Sequence, residues 1–80
     1  MADTMMNMEL RHADNLNPDQ LMVNDLIQVN DDIVEVKLIT SDSTGDNYFL
    51  ELQNEYGEIE IATFSYTDLI PLFVFIDTSE

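Results

Sequence analysis

From Leu26 onward the chain alternates apolar and polar positions in short runs separated by turn-forming residues. A period of two marks half-buried strands. Leu26–Val29 is the first such run, with Ile27 and Val29 on one face. Ile33–Thr40 is the second, where Val34, Val36 and Leu38 alternate with Glu35 and Lys37. Tyr48–Gln53 places Tyr48, Leu50 and Leu52 inward and Glu51 outward. Glu58–Phe64 places Ile59 and Ile61 inward and Glu58 and Glu60 outward. Ile70–Ile76 is the last run, and Pro71, which has no N–H to give a ladder, puts that strand at an edge or marks its start.

The connections are equally legible. Asn30-Asp31-Asp32 forms a tight turn, Ser41–Asn47 a longer loop, and Asn54-Glu55-Tyr56-Gly57 a hairpin ending on Gly. Ser65–Leu69 reads as a single 3₁₀ turn. Upstream, Asn17 is a helix N-cap, Pro18 suits the first helical position, and Gln20 stands where a capping-box side chain reaches back. That helical turn ends by about Met22, because Val23-Asn24-Asp25 is a turn. Residues 1–16 (MADTMMNMELRHADNL) hold no sustained period and are expected to form a flexible tail, within which Met5, Met6 and Met8 could seat a short helical turn. The expected architecture is mainly β: a small five-stranded SH3-like antiparallel barrel spanning 17–77, with a short N-terminal helical turn. Closure removes the strand edges of a domain that has no helices to cover them. An open five-stranded sheet or an OB-like barrel is the other arrangement the pattern admits.

The run Leu21-Met22-Val23-Asn24-Asp25-Leu26-Ile27, followed by Asn30-Asp31 and Val34, resembles the opening of SH3-like translation domains of the elongation factor P amino-terminal type. Asn24 stands where that family often has Gly, a replacement compatible with a left-handed backbone. The resemblance covers residues 21–36 and implies fold alone. Those domains face RNA with basic residues, and the elongation factor carries a key Lys in a hairpin loop, whereas the loops here are acidic or neutral. In general type the chain is also similar to small acidic phage-encoded proteins.

Charge changes the picture most. Seventeen acids face Arg11 and Lys37 in 80 residues, a net charge of −15. Such a chain repels nucleic acid and anionic membrane and attracts basic protein surfaces or cations. Acidity also serves solubility alone. Salt-adapted proteins are acidic too, but seven Asn, seven Ile and five Met with three Ala do not resemble that class. Cysteine is absent, which removes disulfides and thiolate metal sites. The longest apolar run, Ile70–Ile76, is far short of the roughly 20 residues of a membrane span. With no apolar N-terminal signal stretch, a cytoplasmic location is expected.

Catalysis has little to stand on. The single His, His12, falls in the expected tail, and with no Cys and no Ser beside a base there is no activated nucleophile. Gly45 and Gly57 make no phosphate loop. The carboxylate pairs Glu58/Glu60 and Glu35/Glu51 lie on wet outward positions, unsuited to a raised pKa. Asp42-Ser43-Thr44-Gly45-Asp46-Asn47 gathers oxygen ligands but lacks EF-hand spacing, and turn chemistry accounts for it. Neither an enzyme, a cofactor nor a metal is expected.

The remaining signal is a surface. Residues 25–60 carry Asp25, Asp31, Asp32, Glu35, Asp42, Asp46, Glu51, Glu55, Glu58 and Glu60 against Lys37. Alternate strand residues stand about 6.6 Å apart on one face, so Glu58, Glu60 and, across the hairpin, Glu51 are expected to form a carboxylate stripe. Like charges that close cost tenths of a kcal/mol. Phe49, Phe64 and Tyr56 are expected outward beside the acids, and Phe73 and Phe75 share one face. Aromatics among acids suit a protein interface. The expected function is a small acidic interaction module that binds and inhibits a basic nucleic-acid-handling host protein. Its carboxylate face, with Asp31, Asp32, Glu35, Glu51, Glu58, Glu60, Phe49, Tyr56 and Phe64 as contacts, would resemble a phosphate backbone. The alternative is an assembly protein that forms homo-oligomers or decorates a larger complex through its last strand.

Overall fold

A computed structural model describes residues 8–78. Six antiparallel strands form one sheet: β1 (Met8–Leu16), β2 (Leu26–Val29), β3 (Asp32–Ser41), β4 (Asn47–Gln53), β5 (Ile59–Ser65) and β6 (Ile70–Asp77), in the spatial order β1-β6-β2-β3-β4-β5. The sheet is open, with β1 and β5 at its edges, so the expected five-stranded closed barrel is replaced by a six-stranded open sheet.

The added strand is β1. It pairs with β6 from Met8↔Asp77 to Leu16↔Ile70, with a bulge between His12 and Asp14. Residues 8–16 are thus an edge strand, not a tail; residues 1–7, including Met5 and Met6, lie outside the described residues. β6 is consequently interior in the strand order, flanked by β1 along its length and by β2 at Leu72 and Phe73. Pro71 sits second in β6, and the ladder with β2 begins one residue later at Leu72.

Local chemistry sets the turns. Asn30 (φ 53°) and Asp31 (φ 69°) are both left-handed, as a two-residue hairpin between Val29 and Asp32 requires. Asn24 has φ 81°, the conformation expected of it. Pro18–Gln20 forms a 3₁₀ turn, where the Asn17 N–H donates to Gln20 Oε1 (2.9 Å) and Asn17 Nδ2 donates to the Asp68 carbonyl (3.0 Å). That second bond ties the 3₁₀ turn to the β5–β6 connection. The connection is a β-turn, not a 3₁₀ helix: the Asp68 N–H donates to the Ser65 carbonyl (2.9 Å) and Asp68 Oδ2 accepts from the Ser65 N–H (2.9 Å).

The core lies on one face of the sheet. Ile27, Val34, Val36, Leu50, Leu52 and Ile70 are buried there, Leu21 with them, and Leu16, Val29, Ile39, Ala62, Phe64 and Leu72 pack around them. Pro18, also buried, comes from the 3₁₀ turn.

Two register features redirect side chains. Val36 opposes Leu52 but Leu38 opposes Glu51, so Lys37 is the extra residue of a bulge. Beyond it the phase inverts: Ile39 packs on the core and Leu38, expected inward, is half exposed on the other face. In the β4–β5 hairpin Gln53 opposes Ile59, which sets Glu60 against Leu52, Ala62 against Leu50 and Phe64 against Tyr48. A register fixed by its turn decides the face of every residue in a strand. Ile59 and Ile61, expected inward, therefore stand on the outer face, 50% and 68% exposed, while Phe64, expected outward, packs on the core.

The two faces of the β4–β5 hairpin make different stability predictions. Leu52→Ala removes a fully buried side chain and should cost about 2–5 kcal/mol, whereas Ile61→Ala should stay within roughly 0.5 kcal/mol, as exposed substitutions do. Urea unfolding of the two variants checks the difference, and a larger loss for Ile61→Ala would contradict the register.

Candidate interaction surface

The outer face carries no covering layer among the described residues. The pairs Leu10↔Phe75, His12↔Phe73, Leu26↔Phe73, Leu26↔Glu35 and Glu35↔Gln53 place these side chains on one surface across five strands, because directly opposed residues share a face. The His12 and Phe73 rings meet edge to face at 5.6 Å. Toward the β5 edge the same face carries Leu38, Phe49, Glu51, Ile59 and Ile61. Phe75 is 57% exposed.

At the end of the sheet holding the β2–β3 and β4–β5 turns, this face dips into a trough. One depression of about 420 Å³ is lined by Leu10, Asp31, Asp32, Ile33, Asn54, Glu55 and Tyr56. A neighbouring one of about 280 Å³ shares Leu10, Ile33, Asn54 and Glu55 and adds Leu26, Glu35, Gln53 and Phe75. Leu10 on β1 and Glu55 beyond β4 wall the same hollow although β6, β2 and β3 lie between them in the sheet. Sheet twist and coiling bring separated strands together in this way.

The expected contact residues divide. Asp31, Asp32 and Tyr56 meet in the larger depression and Glu35 in its neighbour. Phe49 and Glu51 share the outer face but stand toward the β5 side. Glu60 and Phe64 stand on the core face, and Glu58 precedes β5, its Oε1 accepting from Asn54 Nδ2 (2.9 Å) inside the hairpin turn. Glu51, Glu58 and Glu60 thus do not form one stripe. Leu10, Leu26 and Ile33 were absent from the sequence-based site. Leu10 lay in a segment without periodicity, while Leu26 and Ile33 occupied the phase opposite the core.

The cations are engaged locally. Lys37 Nζ lies 3.6 Å from Glu35, and Arg11 Nε donates to Glu9 at 3.0 Å, a hydrogen bond that holds the Glu9 carboxyl below its ordinary range. These are the ion pairs among the described residues, and Asp31, Asp32 and Glu55 take part in none.

The oxygen-rich loop has an internal purpose. Asp42 Oδ2 accepts from Asn47 Nδ2 (3.0 Å), while Oδ1 accepts from Thr44 Oγ1 (2.8 Å) and the Gly45 and Asp46 N–H groups (2.9 and 3.2 Å). The carboxylate thereby organises the β3–β4 connection. Among the described residues no group of three or more His, Asp or Glu is arranged to hold a metal ion, and no helix is long and apolar enough to cross a membrane. No family model, curated protein or solved structure matches the chain.

The Asn47 side chain, then Thr44, lower the Asp42 pKa from 3.8 to about 2. A depressed carboxyl stabilises the native state above its ordinary pKa, and that contribution disappears as pH falls through the native value. Asp42→Asn should therefore flatten the pH dependence of unfolding free energy between pH 3.8 and about 2. Carboxyl titration by NMR checks the cause; an Asp42 midpoint near 3.8 would contradict it.

Proposed function

We propose that the chain is a small acidic interaction module whose outer sheet face receives a basic protein partner. The observation that carries this reading is an apolar surface of half-buried Leu26, Ile33 and Phe73 and exposed Phe75, with no layer over it among the described residues, bordered by Asp31, Asp32, Glu35 and Glu55. An exposed apolar patch with a polar rim is the usual mark of an interaction site. The net charge of −15 and the local pairing of both cations give that surface a negative field. Such a field speeds encounter with basic surfaces and rejects acidic ones.

Proteins that handle nucleic acid are the partner class with extended cationic surfaces, and occupying one would inhibit it. The carboxylates support this as a border to an apolar face, not as a single row imitating phosphates, since Glu60 and Glu51 point to opposite sides of the sheet. Immobilised protein incubated with cell lysate should retain basic, nucleic-acid-binding proteins at low salt. It should release them at about 1 M, where the Debye length is about 3 Å. The purified partner should then lose DNA or RNA binding in a gel-shift titration with this chain. Partners that are acidic, or that persist at high salt, would contradict the proposal.

One observation favours a second reading, homo-oligomer formation. The β5 edge is unpaired, carries Glu60 as its one charge, and leaves Ile59 and Ile61 exposed. A flat apolar edge is a template for another strand. Under this reading, sedimentation equilibrium at micromolar concentration gives a dimer that Ile61→Lys converts to monomer. A monomeric unaltered protein would remove it. In β6 the pairing with β2 covers only Leu72 and Phe73, so of these two strands β5 has the longer unpaired edge.

A further inference from the structure

The trough defines what kind of segment a basic partner would present. Leu10 of β1 and Ile33 of β3 are the apolar groups common to both of its hollows, and Asn54 and Glu55 the shared polar ones. Leu26 of β2 and Phe75 of β6 extend the apolar lining in the smaller hollow, beside Glu35 and Gln53. One wall is the β4–β5 turn, where Glu55 and Tyr56 stand, and Asp31 and Asp32 close the end. The larger hollow, about 420 Å³, falls within the roughly 300–1,000 Å³ of ordinary binding clefts. It therefore has room for one bulky side chain. Apolar lining and acidic border act on a ligand together: an apolar group alone leaves the carboxylates unpaired, and a cation alone gains nothing from the lining.

We propose, resting on the reading that the partner is basic, that this trough seats a single aromatic or large aliphatic side chain of a protein segment with Lys or Arg on both sides of it. The anchor displaces water from Leu10, Ile33 and Tyr56 in the larger hollow, with Leu26 and Phe75 continuing the apolar lining in the smaller one. The flanking cations meet Asp32 at one rim and Glu55 at the other. Charge complementarity selects this occupant: Asp31, Asp32 and Glu55 have no cationic partner within the described chain, while Glu35 already holds Lys37 at 3.6 Å. The same three carboxylates repel a phosphate backbone, so the occupant is polypeptide and not nucleic acid. Anchors of this kind, aromatic side chains in pockets ringed by polar groups, carry most of the energy of protein interfaces.

Two fluorescent peptides and two charge-matched variants test this. One peptide carries Trp-Leu between pairs of arginines; the other has Ser-Ser in place of Trp-Leu. Asp32→Asn with Glu55→Gln neutralises the two rims. Asp19→Asn with Glu60→Gln changes the net charge equally at exposed positions outside the trough. Circular dichroism melts confirm that both variants fold. The anisotropy titration should show the Trp-Leu peptide binding at least about tenfold more tightly than the Ser-Ser peptide. The rim variant should lose about tenfold in affinity while the remote variant loses several-fold less. Equal binding of both peptides, with equal losses in both variants, would overturn the trough and leave the basic-partner reading standing. Absence of binding by either peptide to the unaltered protein would overturn both.

Discussion

A sheet has two faces, and a stable layer architecture needs something packed on each apolar one. In this chain the described residues cover one face. Its one helical element among the described residues is the three-residue 3₁₀ turn Pro18–Gln20, and that turn lies over the core face with Pro18 and Leu21 buried beneath it. Among the described residues nothing comparable spans Leu26, Ile33, Phe73, Phe75, Leu38, Phe49, Ile59 and Ile61 on the other side. The apolar content is 45%, ordinary for a globular chain, and it is spread over both faces of the sheet. The bordered apolar surface follows from that one-sided cover.

How much of this was visible in the sequence depends on whether a residue obeyed local or tertiary rules. Leu26–Val29 lies where the alternation put it, and the Asn30-Asp31 turn and left-handed Asn24 follow from side chains that tolerate positive φ. β1 was hidden because Glu9, Asp14 and Asn15 are poor strand formers and its bulge breaks the alternation; pairing with β6 makes the strand. The Lys37 bulge is silent in a period-two pattern, so Leu38 was misplaced by one step. In β5 the apolar positions conflict, Ile59 and Ile61 against Ala62 and Phe64. The hairpin register resolves the conflict in favour of the second pair, which opposes Leu50 and Tyr48.

The site was legible in the same uneven way. Asp31, Asp32 and Tyr56 converge because they lie in or next to two turns at the same end of the sheet, and Glu35, farther along β3, lines the adjoining depression. Glu58 is absorbed in the turn by Asn54, and Glu60 and Phe64 were assigned the wrong face along with the rest of β5. The carboxylates therefore act as a margin around apolar groups, and the two contributions differ in kind. In the proposed complex the field would govern encounter and salt sensitivity, while an apolar anchor seated on this face would govern residence.

The most direct test of this account is which face of β5 meets water. A neutral, soluble paramagnetic probe added to methyl-labelled protein relaxes exposed methyl groups and spares buried ones. The account predicts strong relaxation at Ile59 and Ile61, intermediate effects at Ala62, and weak effects at Leu50 and Leu52. Protection of Ile59 and Ile61 together with strong relaxation at Ala62 would place the isoleucines in the core and contradict the two-faced sheet.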